Sequence, residues 1–148
     1  MLRARLKKWR TKLVMTAHGS GARILTAPPG PLEEHPLDVT AGAPRARTCC
    51  ALQTPDGKLF TGEWDCSAGS FTWRYDEDEL IRILEGEAFI EIDGEFRRFG
   101  PGDTIFFPLG QSARWRVPKY VRKVFFIRHP GRAVQLLRTL KMPGRSVS

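Results

Sequence analysis

From Thr48 to Arg128 the chain is a succession of short apolar runs, each stopped by a turn signal. Thr48–Gln53 is followed by Pro55, Asp56 and Gly57, and Leu59–Asp65 by Ser67, Ala68 and Gly69. Ser70–Tyr75 runs into the acidic stretch Asp76, Glu77, Asp78 and Glu79, and Leu80–Leu84 stops at Gly86. Ala88–Ile92 and Glu95–Phe99 flank Asp93-Gly94, a strong two-residue hairpin signal. Thr104–Phe107 meets Pro108-Leu109-Gly110; Ala113–Val117 and Val121–Arg128 complete the series. Such runs are too short for helices and too regularly interrupted for a parallel α/β pattern. They predict about nine strands in an antiparallel sandwich or barrel.

The flanking segments read differently. Residues 1–23 carry seven Lys/Arg and no acid, with Leu2, Leu6, Trp9 and Leu13 at helical spacing. This is a basic tail or amphipathic helix; a start at Met15, a transit peptide and a membrane-surface helix are the readings it leaves open. Residues 24–47, rich in Gly, Pro, Ala and Thr, form a loop-rich arm with one short strand near Arg23–Leu25. Residues 48–130 are the β domain. After His129-Pro130-Gly131, Val134, Leu137 and Leu140 line a second basic amphipathic helix and tail over residues 131–148. The net charge of +8 is therefore uneven. Residues 61–111 hold twelve acids against four bases, and residues 112–148 hold ten bases and no acid. A start at Met15 would lower the total by the six bases from Arg3 to Lys12, to +2. Cys49, Cys50 and Cys66 include no CxxC pair, which argues against a disulfide framework and against a cysteine zinc site. A reducing, cytoplasmic setting is the simplest expectation. No run of 18 apolar residues suggests a transmembrane helix.

Two segments carry a family resemblance. The first runs from Gly69 through Trp73, Tyr75 and Glu79 to Gly86; the second contains Gly100, Gly102, Asp103, Pro108 and Gly110. Their spacing resembles the two motifs of the cupin superfamily. In that pattern, two His separated by one residue precede a Glu and then a Gly, and a Pro-x-Gly precedes a third His. Trp73 and Tyr75 stand at the first two His positions and Ala113 at the third; only Glu79 keeps the family residue. Trp-x-Tyr, the later Trp115, and Gly62-Glu63-Trp64-Asp65-Cys66 resemble the ureidoglycine aminohydrolase-like branch of the superfamily. The resemblance implies a single jelly-roll β-barrel, commonly a homodimer, acting on or binding a small polar metabolite.

Family members converge three His and one Glu on Mn, Fe, Ni or Zn. With one carboxylate left, no metal and no other cofactor is expected here. His18, His35 and His129 are expected to be solvated or capping residues. Strand alternation in the family register turns Trp73, Tyr75, Glu79 and Trp115 inward, and puts Lys123 on one face with Val121, Phe125 and Ile127. Glu79 and Lys123 are then the candidate catalytic residues, and Trp73, Tyr75, Trp115 and Cys66 the candidate ligand-binding residues. Two alternatives stay open. The aromatics can be core filler, with Glu79 satisfied by Tyr75, Trp115 or Lys123. The barrel can equally be a non-catalytic scaffold whose basic ends contact a membrane surface. Nucleic acid is not an expected partner, since no helix-turn-helix or zinc-finger pattern occurs.

Overall fold

The computed structural model describes residues 15–16, 31–131 and 136–137, and its ordered elements are β-strands. They are β1 (Met15–Thr16), β2 (Glu33–His35), β3 (Asp38–Gly42), β4 (Ala46–Gln53), β5 (Leu59–Arg74), β6 (Asp78–Gly86), β7 (Ala88–Ile92), β8 (Glu95–Phe99), β9 (Thr104–Phe107) and β10 (Ser112–Arg128). Leu136 and Leu137 are helical and exposed. The rest of the expected C-terminal helix, the basic segment 1–14 and the expected strand near Arg23–Leu25 lie outside the described residues.

The long strands β5 and β10 hold the architecture together. The first half of β5 pairs with β4 and with the second half of β10, which in turn pairs with β6, and β6 with β9. The second half of β5 pairs with β3 and with the first half of β10, which passes on to the β7–β8 hairpin. Two half-sheets thus share two continuous strands. All these ladders are antiparallel, as is β2 on β4; the two-residue β1 pairs with β4 in parallel. The strands form one ten-stranded sheet that does not close on itself, so the expected closed barrel is corrected to an open, folded antiparallel sheet.

Ser67-Ala68-Gly69 and the Pro118-Lys119 pair do not end strands as their composition suggests. Pro118 and Lys119 stand opposite the single residue Ala68, between the pairs Val117–Gly69 and Tyr120–Ser67. Two residues facing one is a β-bulge, which bends a strand and tolerates a proline that cannot donate to the ladder. The slip also changes which positions face the core. Phe60, Trp64 and Cys66 are buried before the bulge, and Phe71 and Tyr75 after it. This corner lets four expected strands become two, and it folds the half-sheets over one core that includes Trp64, Phe71, Ile81, Ile90, Trp115 and Val121.

Within the arm, β2 and β3 add short edge strands. Their exposed residues give no alternating signal: all five residues of β3 are exposed. Close backbone approach is sharpest at Gly62, where a Cβ would lie 1.9 Å from the Cys49 carbonyl oxygen and 2.8 Å from Phe125 Cζ. Gly62→Ala is therefore expected to destabilise the fold by about 1–3 kcal/mol, as overpacking of a tight core does. Gly131, with nothing near its Cβ position, should accept alanine within about 0.5 kcal/mol. Urea unfolding of the two variants checks the contrast.

Candidate functional site

The centre of the folded sheet holds an ion pair. Lys123 Nζ donates to Glu79 Oε1 at 2.8 Å, and the two residues are 2% and 5% exposed. Strand register explains how they meet. Lys123 lies opposite Trp64 on β5 and Ile83 on β6, while Glu79 lies opposite Ile127. Four residues of strand span about 13 Å, so the pair has to reach along the ladder. A long side chain at position 123 is needed to close that distance.

Three indole rings surround the ammonium. Lys123 Nζ lies 5.0 Å from the ring centroid of Trp64, 5.3 Å from that of Trp115 and 5.4 Å from that of Trp73. Each distance is within cation–π range. Trp64 packs edge-on to Trp73 and Trp115, and Trp115 stacks on Phe71. Trp115 Nε1 donates to Tyr75 Oη at 3.2 Å, and Tyr75 lies face to face on Phe107 at 4.1 Å. Burial, then the charge of Glu79, pushes the Tyr75 phenol above its ordinary range. Tyr75 therefore serves as a neutral hydrogen-bond acceptor. Of the three partners the sequence offers Glu79, Lys123 is the one placed on its carboxylate.

Cys66 is fully buried on β5, and its thiol donates to the Ser67 carbonyl oxygen at 3.3 Å. Burial, then the Asp65 charge, pushes it up to about 12, against a smaller opposing effect of Lys123. It is an unreactive thiol at neutral pH.

His35 is the residue that sequence reasoning missed. Instead of standing in solvent on a loop, it lies half-buried at the end of β2, its ring stacked on Trp73 at 5.0 Å. The only signal for it was its place in a Glu-Glu-His run too short and too polar to read as a strand. Asp78, from the acidic stretch after Tyr75, also turns inward. It is buried and accepts the Leu109 amide at 3.0 Å. With the bonds from Tyr75 N to Gln111 O (2.9 Å) and from Gly110 N to Tyr75 O (2.8 Å), it pins the 108–111 turn onto the core.

That turn and the Asp93-Gly94 hairpin bound a cleft of about 390 Å³. Its lining includes Asp93, Phe106, Phe107, Gln111, Ser112 and Ala113. Phe107 and Ala113 of its lining also belong to the buried core.

The positions that hold metal in the resembled motifs offer little to a cation. Trp73 and Ala113 offer no donor, Tyr75 is held as a neutral phenol, and Glu79 is engaged by Lys123. Among the described residues no three His, Cys, Asp or Glu side chains gather as a metal shell. These residues do not fit a divalent cation.

The chain matches the family model of the EutQ-like cupin domain over residues 53–125. It is 29% identical over 68 residues to the acetate kinase EutQ of Clostridioides difficile, covering 46% of this chain and 43% of that protein. To the acetate kinase EutQ of Salmonella typhimurium it is 33% identical over 63 residues, 43% of this chain and 27% of that one. The chain thus matches less than half the length of either curated relative. The solved structure of the C. difficile EutQ protein superposes with a TM-score of 0.52 at 25% identity, covering 58% of this chain and 69% of that one. A Pseudomonas syringae protein of unknown function shares the fold with a TM-score of 0.59 at 21% identity, over 66% and 44% of the two chains. No helix among the described residues is long and apolar enough to cross a membrane.

A pH dependence follows from His35. Burial, then the charge of Lys123, lowers its pKa to about 4, whereas the unfolded chain binds that proton near about 6.5. Between these values the unfolded state holds more protons, so stability falls as pH drops through that window. Urea unfolding at neutral pH and near pH 4 should show a smaller loss for His35→Phe than for the parent protein. An equal loss would remove His35 as its source.

Proposed function

We propose that this is a small-molecule-binding cupin whose ligand enters the cleft between the Asp93-Gly94 hairpin and the 108–111 turn. One observation carries the reading. The cleft, of about 390 Å³, is backed by Phe107, the ring stacked on Tyr75. Its size is in the usual range for small-ligand pockets, about 300–1,000 Å³, and its lining combines apolar walls with a few convergent polar groups. Asp93, Gln111 and Ser112 supply those groups, and Phe106 supplies an exposed wall.

In this reading Trp73, Tyr75 and Trp115 transmit occupancy of the cleft to the buried pair of Glu79 and Lys123. The curated relatives' name, acetate kinase, makes acetate the first probe. The Trp-x-Tyr pattern supports a place near the ureidoglycine aminohydrolase-like cupins, which makes small ureido compounds the second. Binding is expected to raise the melting temperature and to change tryptophan emission, because Trp115 is one hydrogen bond from Tyr75. The variants Phe106→Ala and Gln111→Ala should weaken binding at least tenfold, about 1.4 kcal/mol, without altering the fold. Full affinity in both variants, with binding abolished by Glu79→Gln, would move the ligand out of the cleft and into the core.

A further inference from the structure

The residues at the motif positions do not fit a metal, yet the centre of the domain still holds a cation. We infer that the three-tryptophan chamber closed by Glu79 is a receptor for an organic ammonium ion, and that Lys123 fills it from within the chain. Three features recognise an ammonium there. Glu79 Oε1 lies 2.8 Å from Nζ. The ring faces of Trp64, Trp73 and Trp115 lie 5.0–5.4 Å from it. Lys123 is 2% exposed, so no solvent shell competes.

The chemistry selects against the alternatives. Indole faces attract a positive charge through the ring quadrupole and offer no lone pair, so they favour an ammonium over a divalent metal. A lone neutral side chain in this place would leave Glu79 buried without its counter-charge, which is costly. Neither the metal-binding pattern of the resembled motifs nor the cleft described above accounts for a lysine at this position. The inference is independent of the cleft: failure of acetate to bind leaves it untouched.

The test removes the tether and supplies the cation from solution. Lys123→Ala deletes three methylenes and the ammonium, a piece with the shape of n-propylammonium. The variant should melt well below the parent. Saturating n-propylammonium should raise its melting temperature by several degrees, as a ligand specific for the folded state does, with no matching rise in the parent. 1-Propanol, of the same shape without the charge, and Mn²⁺ should each give no comparable rise. No response to n-propylammonium, or an equal response to 1-propanol, would reduce the chamber to an apolar void and overturn the inference. A rise with Mn²⁺ alone would show a metal site plugged by a lysine and would overturn it as well. Should Lys123→Ala fail to fold, the parent protein decides. Its ¹H–¹⁵N spectrum should contain a slowly exchanging Lys Nζ signal with contacts to indole protons, lost in Lys123→Met. The absence of that signal in the parent would contradict a caged ammonium.

Discussion

A lysine ammonium in the middle of a hydrophobic core is tolerated only because a carboxylate sits on it. Taking either charge out of water alone costs several kcal/mol. The hydrogen bond of 2.8 Å between Lys123 and Glu79 compensates both, and the indoles of Trp64, Trp73 and Trp115 add the polarisable lining that water would have supplied. Much else depends on that arrangement. Trp115 is aimed at Tyr75, Tyr75 is stacked on Phe107, and Phe107 forms the back of the cleft. The bulge at Ala68, Pro118 and Lys119 makes it geometrically accessible, because it folds β5 and β10 so that residues of both half-sheets face one centre.

The uneven charge of the sequence resolves in the same way. The acidic central strands are matched largely by bases from β4, β8 and β10. Arg122 bridges Glu63 and Glu85, Arg114 holds Glu91, Arg47 holds Asp65, and Arg98 holds Glu87. Most of these pairs are partly exposed and each contributes little to stability. Together they explain why a chain of net charge +8 contains a segment with twelve acids and four bases. Arg114 and Arg122 belong to the basic segment 112–148 and meet the acidic one across antiparallel ladders.

Strand identity was legible wherever a residue's alternation was enforced by burial on one face. β6, β7 and β9 fall close to the runs read from the sequence, whereas β8, exposed from Glu95 to Arg98, was marked by the Asp93-Gly94 hairpin signal. The corners were less legible, because Ser, Gly and Pro mark a bulge and a turn with the same composition; only cross-strand pairing tells them apart. The edge strands β2 and β3 left no apolar pattern, so His35 was invisible as a core contact. The inward face of β10 was readable from Val121, Lys123, Phe125 and Ile127. The sequence could not show that Lys123 reaches Glu79 rather than a ligand, since that depends on a register between residues 44 positions apart. The openness of the sheet was equally hidden: the strand series is compatible with closed and open arrangements alike.

The central claim is that Lys123 and Glu79 act as one unit. A double-mutant cycle measures this directly, using urea unfolding of Lys123→Met, Glu79→Gln and the double variant. Each single change should cost about 3–5 kcal/mol, because each strands a buried charge. The double variant, which strands none, should cost clearly less than the sum of the two. Additive losses would contradict the account, because they would mean that the ammonium and the carboxylate contribute independently.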